Sequence, residues 1–339
     1  MLVNPKAELA RARREGWALG GFNVFNLESA RAVIAAGEEL AAPLLVQTSE
    51  GAVKHAGLEN LVAIVRELAG RTKAPVALHL DHGKSEELAR AAVDAGYTSV
   101  MIDASRQSFD ENERETRDIV TYAHARDVHV EAELGTLGGI EDLGEQAVRS
   151  MLTDPDQAVR FATETEVDAL AVAIGTSHGA YKFTRKPTGD VLAMDVIERI
   201  HSKLPNTHIV MHGSSSVPQE WQDVFNQHGG EMRETYGVPV EEIVGGIKHG
   251  VRKVNIDTDL RLAAAAAFRR VAACSKSEFD PRKFLRPAMD AMSTVCRERF
   301  EAFGTAGHAA TIKVIPMSEM AKRYAKGVLD PSVSVAKAA

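Results

Sequence analysis

Residues 76–83 read "VALHLDHG", an apolar run that ends in His79, Asp81 and His82. Val76, Leu78 and Leu80 mark a strand entering a core, yet the same strand carries ionisable groups. Burying such groups is costly unless they are paired, hydrogen-bonded or metal-bound. A parallel strand whose C-terminal end opens into an active site meets that requirement.

The pattern repeats along the 339 residues. Strands are expected at 19–24, 43–49, 75–81, 97–103, 128–135, 168–175, 207–213 and 251–257. Between them lie helical stretches such as "LESARAVIAAGEELA", "SEELARAAVDAG" and "AMDVIERIHSKL", with apolar residues at helical spacing. Near-continuous apolar strands suit a parallel sheet covered by helices. Eight alternations predict an α/β protein with a closed (β/α)₈ TIM barrel, an open doubly wound sheet being the competitor. No Pro/Ser-rich linker divides the chain, so one domain is expected over 1–339. Polar, Gly-rich loops are expected at 135–155 and 177–191, and an insertion at 221–239 precedes the helix "VEEIVGGIKHG". Extra helices are expected from "SEFDPRKFLRPAMDAM" onward.

Composition narrows the function. The chain is 45% hydrophobic and 26% charged, with net charge −7 and no basic block, which argues against nucleic acid as a partner. No apolar run approaches the roughly 20 residues that span a bilayer, and the N-terminal stretch has no apolar signal core. Cys274 and Cys296 form neither a CxxC pair nor a disulfide framework. A cytoplasmic protein is expected.

The strand ends carry the chemistry. His82, His178 and His212 close the third, sixth and seventh strands, and each is followed by Gly. One such His is ordinarily structural. Three converging on one barrel mouth would make a zinc site with an open position. His79 shares strand parity with Asp81 and suits the barrel interior, holding a neighbouring carboxylate. The other histidines sit in surface or structural contexts. "HGSSSVP" sets Gly213, Ser214 and Ser215 before a helix, and "NIDTDLR" sets Asn255, Asp257 and Thr258 before another. Helix N-termini of this kind either carry ordinary caps or bind an anion. Their position in the last two βα loops favours phosphate. Asp81, next to His82, and Glu141, in the loop "GTLGGIEDLG", are the candidates for proton transfer.

"LHLDHG", "EAELGTLGGIED", "IGTSHGAYKF", "VMHGSSSVP" and "KVNIDTDLR" together resemble the class II, zinc-dependent fructose-bisphosphate aldolases, and the insertion resembles the Calvin-cycle-type subgroup. The resemblance implies His82, His178 and His212 as zinc ligands and Asp103 and Glu133 as ligands of a second metal position. It implies Asp81 as general acid/base and Glu141 as the loop carboxylate exchanging a proton with dihydroxyacetone phosphate. Gly179, Gly213, Ser214, Ser215, Asn255, Ile256, Asp257 and Thr258 match the site of that ketose's phosphate. Asn23 and Ser49 match contacts to the other half, and Arg282 matches an arginine that reaches the distal phosphate from a neighbouring subunit. A homodimer or homotetramer and a Na⁺ or K⁺ ion near the phosphate are further implications. The substrate implied is fructose 1,6-bisphosphate, with tagatose 1,6-bisphosphate or sedoheptulose 1,7-bisphosphate as alternatives. Three other readings compete. A Schiff-base aldolase would use Lys253, whose bland role is pairing with Glu131. A non-catalytic sugar-phosphate-binding barrel would need neither Asp81 nor Glu141, and a zinc hydrolase would carry HxH where "HLDH" stands.

Overall fold

The computed structural model describes residues 2–135, 152–177, 179–187, 189, 191–309 and 317–326. The strands are β1 (Leu19–Asn23), β2 (Leu44–Ser49), β3 (Val76–Gly83), β4 (Ser99–Ile102), β5 (His129–Leu134), β6 (Ala169–Val172), β7 (His208–Met211) and β8 (Val251–Ile256). They pair in parallel in chain order, and β8 returns to β1, closing the barrel. The open sheet is thereby excluded. The helices between strands are α2 (Leu27–Glu39), α3 (Glu50–Ala56), α4 (Leu58–Arg71), α5 (Glu86–Ala95), α6 (Phe109–His124), α7 (Pro155–Thr165), α8 (Met194–Lys203), α9 (Gln219–Gln227) and α10 (Val240–His249). Before β1 comes α1 (Lys6–Glu15), and after β8 come α11 (Thr258–Cys274), α12 (Pro281–Ala302) and α13 (Met317–Tyr324).

Strand parity sorts the side chains. Leu78, Leu80, Val130, Ala132, Val254 and Ile256 face outward into the core shared with the helices. Their neighbours in sequence, such as His79, Asp81, Glu131, Lys253 and Asn255, belong to the other face. Register stacks these inward positions in rows. Leu45 pairs with Ala77, Gln47 with His79, and Ser49 with Asp81. The lowest row is apolar: Leu19, Leu45 and Ala77 pack against Leu9, Ala12 and Trp17.

Two expectations change. The N-terminal stretch, unassigned in the sequence, forms α1 and closes the barrel floor; Lys6 makes a buried ion pair with Asp168. The insertion at 221–239 is partly helical, because α9 extends from Gln219 to Gln227. No helix among the described residues is long and apolar enough to cross a membrane.

Candidate active site

A cavity of about 340 Å³ opens where β1, β2, β3, β4, β5, β7 and β8 end. Asp81 stands in its wall, 6% exposed. Asn23 Nδ2 donates to Asp81 Oδ2 at 2.7 Å, and Asn255 Nδ2 donates to Oδ1 at 3.0 Å. Gln47 Nε2 donates to Asn23 Oδ1 at 2.9 Å, which fixes the amide so that its NH₂ faces Asp81. Burial alone would raise the Asp81 pKa; His82, His212 and Lys253 outweigh it and hold the carboxyl below its usual value. Asp81 is therefore an ionised, positioned base at neutral pH.

His82 follows at φ +50°, a left-handed conformation rare outside glycine, at a register irregularity between β3 and β4. Gly83 comes next because a Cβ there would lie 2.5 Å from the Met101 carbonyl oxygen. This kink places the His82 ring beside Asp103, with Nδ1 2.8 Å from Oδ2. Its Nε2 lies 2.9 Å from His212 Nδ1. The other nitrogen of His212, Nε2, lies 2.7 Å from Glu131 Oε1, whose second oxygen accepts from Lys253 Nζ at 2.6 Å. Each imidazole is thus backed by a carboxylate on one nitrogen and turns the other toward a common point. That arrangement fixes tautomer and ring orientation in metal-ligating histidines. Burial disfavours charge on His82, but Asp81, Asp103 and Glu133 prevail and push its pKa up to about 9.

The acceptors exceed the donors. Glu133 Oε2, buried, accepts no hydrogen bond from any described residue, and burial with Asp103 beside it pushes its pKa up to about 8. Asp81, His82 and His212 offer ligand atoms within 4.8 Å of one another, and so do His82, Asp103 and Glu133. Neutral imidazoles and carboxylates in reach of one another, with a buried orphan oxygen, fit a divalent cation.

Across the cavity lies the loop that follows β7, a candidate place for an anion. Gly213 has φ +61°, and a Cβ there would meet the Ser177 carbonyl oxygen at 2.5 Å. Asp259 accepts the N–H groups of Ser216 (3.1 Å) and Val217 (2.8 Å), anchoring the loop from below. Among the described residues, none accepts from the N–H groups of Gly213, Ser214 or Ser215. The Ser214 hydroxyl is occupied by the carbonyl oxygens of Asn255 and Met211, at 2.7 and 3.2 Å, so its backbone is the part left for a ligand. Asp257 does not cap α11 with its side chain; it pairs with Arg261 at 2.6 Å.

The geometry finds its counterpart in known proteins. Residues 3–308 match the family model described as fructose-bisphosphate aldolase class-II. The chain belongs to the class II fructose-bisphosphate aldolase family. It is 56% identical over 350 residues to the fructose-bisphosphate aldolase of Rhizobium meliloti (strain 1021), covering 98% of each chain. It is 48% identical to that of Pseudomonas aeruginosa, covering 98% of this chain and 99% of the relative. Among solved structures, the YdjI aldolase from Escherichia coli K12 superposes with a TM-score of 0.73 at 29% identity, over 91% of this chain and 100% of that one. Against this class II family background, Asn23, Ser49, Asp81, His82, Asp103, Glu133 and Gly179 line the cavity, as do His212, Gly213, Ser214, Ser215, Asn255, Asp257 and Thr258. Ile256 contributes no side chain there, since it faces the helical layer. Arg282, whose side chain is 87% exposed, pairs with Asp280 outside this cavity. His178 and Glu141 lie outside the described residues. Sequence reading missed Lys182, Lys84, Arg106 and Arg261, all of which line the cavity. Arg261 follows Asp257 at i,i+4, a signal that could have found it. Gln47 had none, because its partner Asn23 comes from another strand, and Lys182 had none, because it donates to backbone carbonyl oxygens, of Ser177 in its own loop and Gly213 in the next.

Proposed function

We propose that this protein cleaves fructose 1,6-bisphosphate reversibly to dihydroxyacetone phosphate and glyceraldehyde 3-phosphate, with zinc held by His82, His178 and His212. The observation that carries the reading is the pair of carboxylate-backed imidazoles, their facing nitrogens 2.9 Å apart, beside the anionic Asp81. A bound divalent ion supplies a Lewis acid for the ketose carbonyl. Asp103 and Glu133 are the ligands of a second position within reach of His82.

The chain's own residues do the rest. In the cleavage direction Asp81 takes the proton of the C4 hydroxyl, the C3–C4 bond breaks, and the aldehyde departs. Glu141 then gives a proton to C3 of the remaining three-carbon half. Asn23 and Asn255, bonded to the two oxygens of Asp81, keep it aimed during both directions. The N–H groups of Gly213 to Ser215 and the N-terminus of α11 at Asp257 and Thr258 hold the ketose phosphate, with Gly179 alongside. Ser49 borders the other half of the substrate. We read the enzyme as cytoplasmic and as a homodimer or homotetramer. The exposed Arg282, away from its own cavity, is available to a neighbouring subunit's distal phosphate.

The Schiff-base reading loses support because Lys253 is fully buried on Glu131 and does not line the cavity. Relatives named as fructose-bisphosphate aldolases favour fructose over tagatose or sedoheptulose bisphosphate. The test is cleavage of all three sugars side by side, with and without EDTA, and with borohydride. Fructose bisphosphate cleavage abolished by chelator and untouched by borohydride is expected; the reverse inhibitor pattern would sink the proposal.

A further inference from the structure

His79, Ser99 and His129 are fully buried inside the barrel, although the row beneath them, Leu19, Leu45 and Ala77, is apolar. Register sets the three side by side on consecutive strands, His79 opposite Ser99 and Ser99 opposite His129. His79 Nδ1 lies 2.7 Å from Ser99 Oγ, which lies 2.9 Å from His129 Nδ1. On the other side of the ring, His79 Nε2 lies 3.3 Å from Lys253 Nζ, the group that donates to Glu131 Oε2 at 2.6 Å. Glu131 Oε1 in turn lies 2.7 Å from His212 Nε2. One chain of hydrogen bonds thus joins the barrel interior to an imidazole at the mouth.

Donor chemistry gives the chain one direction. An ammonium has only hydrogens to offer, so His79 Nε2 accepts from Lys253 and the ring proton sits on Nδ1. That proton goes to Ser99 Oγ, and the Ser99 hydroxyl then donates to His129 Nδ1. Burial, with Lys253 alongside, holds His79 neutral, and burial pushes the His129 pKa down to about 4. The hydrogen left on His129 Nε2 meets no acceptor among the described residues. A buried polar network with an unmet donor is less stable than hydrocarbon in the same space. The row is therefore explained by what it holds. At 3.8 Å, His79 Nε2 is too far from Glu131 Oε2 for a hydrogen bond, so its hold on that carboxylate runs through Lys253. Lys253 carries its charge on a flexible four-carbon stem. The acceptor at His79 fixes the ammonium beside one oxygen of Glu131, which leaves the other oxygen for His212.

We infer that His79 and Ser99 are positioning residues for the metal at the barrel mouth: acting through Lys253 and Glu131, they aim the His212 ring. The inference rests on the proposed function for the presence of a divalent ion, but not for the identity of the sugar. The test uses zinc and cobalt ions as probes on the full-length protein and on His79→Leu, His79→Gln and Ser99→Ala. Zinc affinity is read by chelator competition, and ligand geometry by the visible absorption of the cobalt-substituted protein. His79→Leu removes the acceptor and is expected to weaken zinc about 10-fold, the low end for an outer-layer partner, and to shift the cobalt bands. His79→Gln restores an acceptor for Lys253 and an N–H for Ser99, and is expected to match the wild type in both readouts. A merely structural His79 would change the urea melt of the metal-free protein and leave both metal readouts alone. Wild-type zinc affinity or wild-type cobalt bands in His79→Leu would overturn the inference, as would His79→Gln behaving no better than His79→Leu. Should His79→Leu fail to fold by circular dichroism, Ser99→Ala decides: shifted cobalt bands support the inference and unchanged bands overturn it. Zinc affinity that depends on His79 in a protein that cleaves none of the three sugars keeps this inference and sinks the aldolase reading. A wild type that binds neither ion sinks both.

Discussion

Each end of the barrel holds a buried carboxylate beside histidines, Asp168 at one and Glu133 at the other, and the two carboxylates differ in how fully they are paired. At the N-terminal floor, Asp168 receives Lys6 Nζ, lies 2.8 Å from His124 Nε2, accepts the Val130 N–H at 2.9 Å, and has the Tyr324 hydroxyl at 3.4 Å. Tyr324 stacks on His124 with centroids 3.9 Å apart. Against the penalty of full burial, Lys6 and His124 hold the Asp168 pKa well below the usual carboxylate range. At the C-terminal mouth, Glu133 keeps an oxygen that no described residue satisfies, and the rings of His82 and His212 face each other through nitrogens 2.9 Å apart. A closed cluster of His and carboxylate is architecture; one with a surplus of acceptors has a place for a cation. Burial and residue type do not separate Asp168 from Glu133; the number of partners does.

The comparison can be broken by experiment. His212→Ala should have the largest effect: the divalent ion is lost, seen by elemental analysis, and turnover with it. Undiminished metal content would mean that the mouth is as self-sufficient as the floor. Asp81→Asn should keep the ion and lower kcat by about 10²–10⁴-fold, the usual contribution of a positioned general base. An unchanged kcat would remove Asp81 from the proton transfer. At the floor, Asp168→Ala leaves Lys6 buried without its partner and should destabilise the fold by about 3–5 kcal/mol, while metal affinity and kcat stay as in the wild type. A variant that unfolds normally in urea but loses activity would blur the distinction between the ends.

A pH experiment probes the floor without touching the mouth. Glu8, on α1, is buried, its two oxygens accept from no described side chain, and burial pushes its pKa up to about 7. Below pH 4.5 folded and unfolded states are both protonated there and Glu8 is neutral to stability. Between 4.5 and 7 the unfolded state ionises while the folded state keeps its proton, so stability falls with rising pH, by about 3 kcal/mol at most. Glu8→Gln should flatten this slope in urea melts from pH 5 to 8, and an unchanged slope would assign it to other groups. The smallest effect concerns Glu131, which backs His212 from the second layer. Glu131→Gln should weaken metal affinity about 10–100-fold, measured by chelator competition, with kcat at saturating metal much less affected.

The fold was readable because its signal is repetitive. The expected eight strands all occur, shifted at their ends by a few residues, since apolar runs and Gly punctuation are local properties. The pairing of Lys253 with Glu131 was readable too, from strand parity and the implausibility of a lone buried ammonium. The floor was not. Lys6 and Asp168 are 162 residues apart, and nothing near Lys6 in sequence announces a buried partner. Lys182 in the cavity wall escaped for a different reason: its partners are the carbonyl oxygens of Ser177 and Gly213, a group that every residue has.

By itself, the sequence determined the barrel, the strand ends where chemistry gathers, and His82, Asp81 and His212 as members of one site. Those facts follow from period, parity and residue type, which are written along the chain. The tertiary structure decided which carboxylate backs which imidazole, which N–H groups stay open, and that Lys182 meets Thr235, 53 residues away. Hydrogen-bond saturation depends on angles and distances between segments brought together by folding. No local pattern encodes it.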